Sequence, residues 1–251
     1  MADLFLKYMT DRLVQQHSQG NQHKSESGPV ITISRETGCS AREISQLLYE
    51  KIVNGFFNGN PNSCPWRLIN KDILQDSASK QLGLLPSELD YIFKEVEKGT
   101  ISEILDALST KYYHSDRKKK KIIINVIKAM AEQGNIIFLG RGSVAVTRKM
   151  KNSFHVKLMA PLDWRIEQVM ARFNYTKAKA TAFVDESDKQ RIKLIECFGG
   201  NSNYSLFDAT FNTSTLTHDE IVDQILVLAM HRGFFQYKDK AVSQKSYPLS
   251  Y

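Results

Sequence analysis

Cysteine is scarce in this chain of 251 residues: Cys39, Cys64 and Cys197 are odd in number and far apart. That spacing excludes a disulfide framework, a zinc knuckle and a redox dithiol. The six histidines are equally scattered and form no His-Glu-x-x-His pattern, so a metal held by protein side chains alone is not expected. No apolar run approaches the ~20 residues that a membrane-spanning helix needs. Residues Met1 to Gln22 hold one short apolar patch (Leu4, Phe5, Leu6) broken by charge, without the features of a secretory leader. The expectation is a cytoplasmic protein with no membrane partner. Acidic residues are outnumbered too: 27 Asp and Glu against 34 Lys and Arg leave a net charge of +7, which suits anionic partners. The densest basic run, Arg117 to Lys121, has no interleaved aromatics, so it reads as a solvated helix end in preference to a nucleic-acid motif.

What is present is a series of short apolar strands separated by helical stretches. Residues 1–27 are polar and read as an extension, and residues 236–251 read as a polar tail. Between them, Val30–Ile33 is a β-branched run of the kind buried in a parallel sheet, followed by a turn and a helical pattern over Ala41–Val53. Asn54–Pro65, with four Asn, two Gly and two Pro, is a loop by composition. Trp66–Ile69 reads as a second strand. A helical segment fills about 71–133, with Ser87 and Thr100 as N-caps and a last helix over Lys118–Gln133. Strands are expected again at Asn135–Leu139, Phe154–Met159 and Ala209–Asn212. Helices follow from Pro161, over Lys177–Phe198, and after Thr217, where Glu220 completes a capping box.

Five such strands joined by helices imply an α/β domain over residues 28–235: a five-stranded parallel sheet between two helical layers. Ligands bind beyond the carboxyl ends of strands in sheets of this kind. Attention therefore falls on the turns after the first and third strands, which hold Gly38 and Gly140-Arg141.

Arg35, Gly38, Cys39, Ser40, Ala41, Arg42 and Glu43 span the first of these turns. Gly38 to Ala41 are small enough for backbone N–H groups to approach a phosphate at a helix start. The pattern G-x-x-x-x-G-K-[ST] is not met, however, since there is no lysine and Arg42 stands about one position late. Ser40 and Glu43 also form S-x-x-E, a capping box that could start any helix. Cys39 reads as a small loop residue, or as a thiol with a lowered pKa at a helix start. Arg42 reads equally as a surface residue or a phosphate contact.

Several segments together carry a resemblance. Ile31-Thr32-Ile33-Ser34-Arg35-Glu36 through Arg42-Glu43-Ile44 is similar to the ITISREFGSGGREI opening of the cytidylate kinase-like family. Trp66 to Leu74 is similar to its strand-then-DKELL segment, and Phe138-Leu139-Gly140-Arg141-Gly142-Ser143 to its GRG turn. Asp188-Lys189-Gln190-Arg191, then Phe198-Gly199-Gly200, then Phe207 to Thr213 resemble its D-x-x-R … F-G … Y-D-L-x-x-N-T ending. The chain departs from the pattern at Thr37, which replaces an aromatic, and at Cys39-Ser40-Ala41, which replaces Ser-Gly-Gly. It departs again at Gly142 and at Val184, where the better-known cytidylate kinases carry Asp and Arg.

The resemblance implies a P-loop NTPase-like fold and ATP-dependent phosphoryl transfer to a nucleoside monophosphate, CMP or dCMP, with Mg2+ carried by the nucleotide. It assigns catalysis to Arg42, Arg141 and Arg191. Cofactor binding falls to Arg35 and Gly38 to Glu43, and acceptor binding to Asp72, Arg141, Asp188 and Arg191. Arg165 and Arg172 would line a lid. The missing lysine and Val184 favour the alternative, a nucleotide-binding regulator with little or no turnover. Asp188 and Arg191, at i and i+3, could equally be an ordinary helix ion pair.

Overall fold

The computed structural model describes residues 28–56, 65–82, 113–200 and 204–235. Strand β1 (Val30–Arg35) lies at the centre of the sheet, with β3 (Ile136–Leu139) on one side and β4 (Ser153–Met159) on the other. β2 (Arg67–Ile69) pairs outside β3, and β5 (Ala209–Asn212) outside β4, giving the order β2-β3-β1-β4-β5. Every pairing is parallel, with Val30 opposite both Ile136 and Ser153.

Parallel strands must be covered on both faces, and two clusters do so. On one face Ile31 and Ile33 of β1 meet Ile44 and Leu48 of α1 (Ala41–Lys51) and Ile221, Val222 and Ile225 of α7 (His218–His231). On the other, Val30, Ile136 and Phe138 meet Leu74 of α2 (Lys71–Leu82) and Ile123, Ile127 and Met130 of α3 (Tyr113–Gln133). Ala145 of the short α4 (Ser143–Thr147) and Phe198 complete that second cluster. Each of these fully buried aliphatic side chains contributes about 1.5–3 kcal/mol. A third, smaller cluster joins Ile166 and Val169 of α5 (Leu162–Phe173) to Ala180 and Val184 of α6 (Lys177–Cys197), so this helical hairpin has a core of its own. Val184 is fully buried there, which explains an apolar residue at that position.

Most expected elements appear where the sequence puts them, and the Thr217–Glu220 capping box forms as read. Some limits differ. Fully buried Ile52 holds the chain against the core, so one wide helical turn, Ile52–Phe56, continues into the segment expected to be a loop. Helix α3 starts five residues before Lys118, at Tyr113. α4 is too short for a helical period to show in sequence. Ser87 and Thr100 lie outside the described residues, as do 1–27 and 236–251.

One polar pair crosses the sheet. The ring Nδ1 of His155 lies 2.8 Å from the hydroxyl of Thr32, and both side chains are buried. His155 N–H also donates to Asp208, 2.7 Å, whose other carboxylate oxygen accepts from Arg232 at 3.0 Å. Burial lowers the pKa of His155; Asp208 opposes this and Arg232 adds to it. The unfolded chain therefore binds this proton more readily than the folded one. Stability is then complete above about pH 6.5 and falls as the pH drops below it, by up to about 1.4 kcal/mol per unit. Urea midpoints from pH 7.5 to 5.5 are expected to show this fall. A His155→Gln variant is expected to remove most of it, and parallel curves for the two proteins would assign the fall to other groups.

Candidate functional site

The carboxyl ends of β1, β3 and β4 share one edge of the sheet, and two turns meet there. Gly140, Arg141 and Gly142 follow β3 with φ of +67°, +61° and +67°, three left-handed residues in succession. The central one is not glycine, which costs about 1–2 kcal/mol. The turn stays joined to β1, because Gly140 N–H donates to the Ile33 carbonyl at 2.8 Å. Both glycines are favoured by φ, and Gly142 by close approach as well. A Cβ on Gly140 would fall 2.2 Å from Nη1 of Arg35, and one on Gly142 would fall 2.5 Å from the Phe198 ring. Arg35, half-buried at the end of β1, thus lies against the turn that presents Arg141.

The turn after β1 is stitched to the α5–α6 hairpin through one carboxylate. Asp188 Oδ1 accepts from Thr37 N–H at 2.8 Å, from Thr37 Oγ1–H at 2.7 Å and from Arg191 Nη1 at 2.9 Å. Arg191 Nη1 also donates to Thr37 Oγ1. Asp188 Oδ2 accepts from Arg165 Nη1 at 2.6 Å. Arg165, only 8% exposed, is further fixed by the carbonyls of Ala160 (3.0 Å) and Thr37 (3.3 Å) and by Glu36 at 3.4 Å. The second oxygen of Glu36 is 3.4 Å from Lys157 Nζ. Gly38, with φ of +97°, lets the loop pass Arg165, where a Cβ would meet the Arg165 carbonyl at 2.8 Å. Three cations, two carboxylates and the turn after β1 therefore occupy a partly buried site, where such bonds are stronger than at the surface.

The other residues expected in the loop are distributed differently. Ser40 does not cap α1. It adopts a left-handed conformation (φ 40°, ψ 32°) that turns its hydroxyl away from the first helical amides, and Glu43 pairs with Arg172 at 3.4 Å instead. Cys39 is buried and bonded to Thr213; burial chiefly raises its pKa, so the thiol is protonated and serves as a small loop residue. Ala41 is buried at the first turn of α1, while Arg42 is exposed, outside the Asp188 cluster. Asp72 is exposed in the first turn of α2 and is likewise apart from the cluster. Asp188 and Arg191 do come together, as part of a larger group and not as an isolated ion pair. Thr37, Glu36 and Lys157 were not anticipated. A lysine in the second half of the buried strand β4 was the available sign for Lys157.

A sequence profile of the cytidylate kinase-like family matches residues 64–215. The chain belongs to the cytidylate kinase-like family. Its fold is an α/β fold built on a five-stranded parallel sheet with helices on both faces. An uncharacterized protein from Eubacterium ventriosum superposes with a TM-score of 0.56 at 16% identity, over 81% of this chain and 98% of that one. A shikimate kinase from Bacteroides thetaiotaomicron gives 0.46 at 12% identity, over 80% and 98%. In sequence, 162 residues are 23% identical to the uronate isomerase of Corynebacterium glutamicum, 62% of this chain but 28% of that enzyme. Among the described residues no helix is long and apolar enough to cross a membrane.

If one carboxylate ties the loop to the hairpin, removing it leaves Arg165 buried without its nearest partner. Asp188→Ala is expected to cost about 3 kcal/mol, and Thr37→Val about 1–2 kcal/mol. Urea denaturation at neutral pH measures both. A wild-type midpoint for Asp188→Ala would show that the cluster does not hold in solution.

Proposed function

We propose that this protein transfers the terminal phosphoryl group of ATP to a nucleoside monophosphate, with CMP or dCMP as acceptor. The observation that carries this reading is the convergence of Thr37 N–H, Arg165 and Arg191 on a single anionic group, the Asp188 carboxylate, beside the turn after β1. Donors that hold a carboxylate there fit a phosphoryl group equally well, since both present charged oxygens to the same N–H groups. Family membership directs the choice among phosphoryl donors and acceptors.

Phosphoryl transfer asks little covalent help from a protein. An acceptor phosphate oxygen bonds to the γ-phosphorus, the bond from that phosphorus to the bridging oxygen breaks, and ADP leaves. The acceptor is already an oxyanion, so no general base is needed. In this reading Arg191 and Arg165 exchange Asp188 for phosphate oxygens, and Asp188 passes to acceptor or sugar hydroxyls. Arg165, reaching in from α5, supplies the charge that Val184 cannot. Arg141, with its flanking glycines, meets the acceptor phosphate, and Asp72 contributes to the same subsite. Arg42 and Arg35 with the Gly38–Glu43 segment hold the donor phosphates. Magnesium arrives on the ATP phosphates and supplies charge neutralisation there. A cytoplasmic location fits such substrates.

A second reading has specific support: a nucleotide-binding regulator. Ala41 and the exposed Arg42 leave the loop without an inward lysine, and Thr37 N–H is already engaged by Asp188. ATP consumption with magnesium against CMP, dCMP, UMP, AMP and GMP separates the two. The enzyme reading expects turnover dependent on a pyrimidine monophosphate, lowered about a hundredfold or more in Arg191→Ala. Nucleotide-induced thermal stabilisation with no acceptor-dependent turnover would leave the regulator.

A further inference from the structure

At the amino-terminal half of the sheet, a cavity of about 340 Å3 is lined by Arg148, Lys149, His155, Ser205, Leu206 and Asp208. It is a separate place from the cluster described above. His155 lies four residues before the end of β4, about 13 Å along the strand. Three features of the cavity point to one kind of ligand.

The first is charge. Arg148 and Lys149, just after α4, are exposed cations whose side chains have no carboxylate partner among the described residues. The one acidic wall residue, Asp208, is already neutralised, with one oxygen accepting from His155 N–H and the other from Arg232. The cavity is therefore left with two uncompensated positive charges.

The second is a stranded donor. His155 is 5% exposed, and its Nε2 is buried without a hydrogen-bond partner among the described residues. The third is the partner of the other ring nitrogen. The buried Thr32 hydroxyl has His155 Nδ1 as its partner. With the proton on Nδ1 the hydroxyl hydrogen is left without an acceptor, and with the proton on Nε2 the buried Nε2–H is, until a ligand accepts from it. With the hydroxyl donating to Nδ1, the neutral ring holds its proton on Nε2. An anion in the cavity that His155 lines, accepting from Nε2–H, would satisfy both groups at once, and buried polar groups ordinarily have partners.

We propose that this cavity is a second anion site that takes a phosphate group, either free phosphate or a small phosphomonoester. A phosphate oxygen accepts from His155 Nε2–H while the others meet Arg148 and Lys149. Since Nε2 itself has under 1 Å2 of accessible surface, the side chains around it must give slightly for the oxygen to reach it. A phosphate carries more charge than a carboxylate to set against the two cations, and about 340 Å3 suits a compact ligand.

The test uses the full chain, ring-nitrogen NMR of the histidines at pH 7.5, and inorganic phosphate or glycerol 3-phosphate as probes at constant ionic strength. Binding is expected to move the His155 Nε2–H signal saturably, with a midpoint near about 1 mM. Because both variants change only exposed side chains, Arg148→Ala with Lys149→Ala is expected to fold normally and to weaken that response about tenfold or more. Arg191→Ala separates this site from the one after β1 and is expected to leave the His155 response unchanged. A response to both probes assigns a phosphomonoester site, and a response to inorganic phosphate alone assigns a free-phosphate site. The proposal is overturned by a His155 ring protonated on Nδ1, by signals unmoved up to about 50 mM phosphate, or by an equal response in the double variant. Failure here leaves the phosphotransferase reading intact, because that reading rests on the Asp188 cluster and on turnover.

Discussion

One carboxylate organises the working end of this molecule. Asp188 joins a loop amide, a loop hydroxyl and two guanidinium groups drawn from three separate segments. Without it, Arg165 would be a cation only 8% exposed with Glu36 as its remaining counter-charge, and buried charges are tolerated only when paired and hydrogen-bonded. The path of the loop follows from this. Gly38 takes a positive φ because the chain must pass the Arg165 backbone closely. The hairpin is thereby held over the end of β1 by polar bonds.

The sheet supplies the other half of the geometry. Five parallel strands put all their carboxyl ends on one edge, and β1, paired on both sides, delivers its loop to the middle of that edge. The Gly140–Gly142 turn reaches the same place from β3, still bonded to Ile33. Two turns that are about a hundred residues apart in sequence become neighbours because their strands pair in register.

Much of this was legible in the sequence. The apolar runs Val30–Ile33, Phe138–Leu139 and Phe154–Met159 announce buried strands, and the glycines around Arg141 announce a turn that few other residues could make. Asp188 and Arg191 were legible as a pair through their three-residue spacing. Their partners were harder to find. Arg165 joins them from across the hairpin, and Lys157 and Glu36 meet only because β4 and β1 are adjacent, which no local pattern records. Ser40 misled too: S-x-x-E fits a capping box, yet Ser40 takes a left-handed conformation without a side-chain cap bond, and Glu43 pairs with Arg172. The role of Val184 depended on tertiary packing, as a member of a small hairpin core and not as a lost arginine.

That small core has a consequence for how the molecule answers its surroundings. Ile166, Val169, Ala180 and Val184 keep α5 and α6 together as a unit, and only its base, through Trp164, Leu194 and Ile195, is greased to the rest of the protein. Asp188 and Arg191 also bond it to Thr37 of the turn after β1, and Arg172 pairs with Glu43 nearer its tip. Apolar adhesion is indifferent to dissolved ions, whereas partly exposed charge pairs weaken as ionic strength rises. The salt around the molecule thus sets how firmly the polar contacts hold the hairpin to the loop, while its apolar contacts are unaffected.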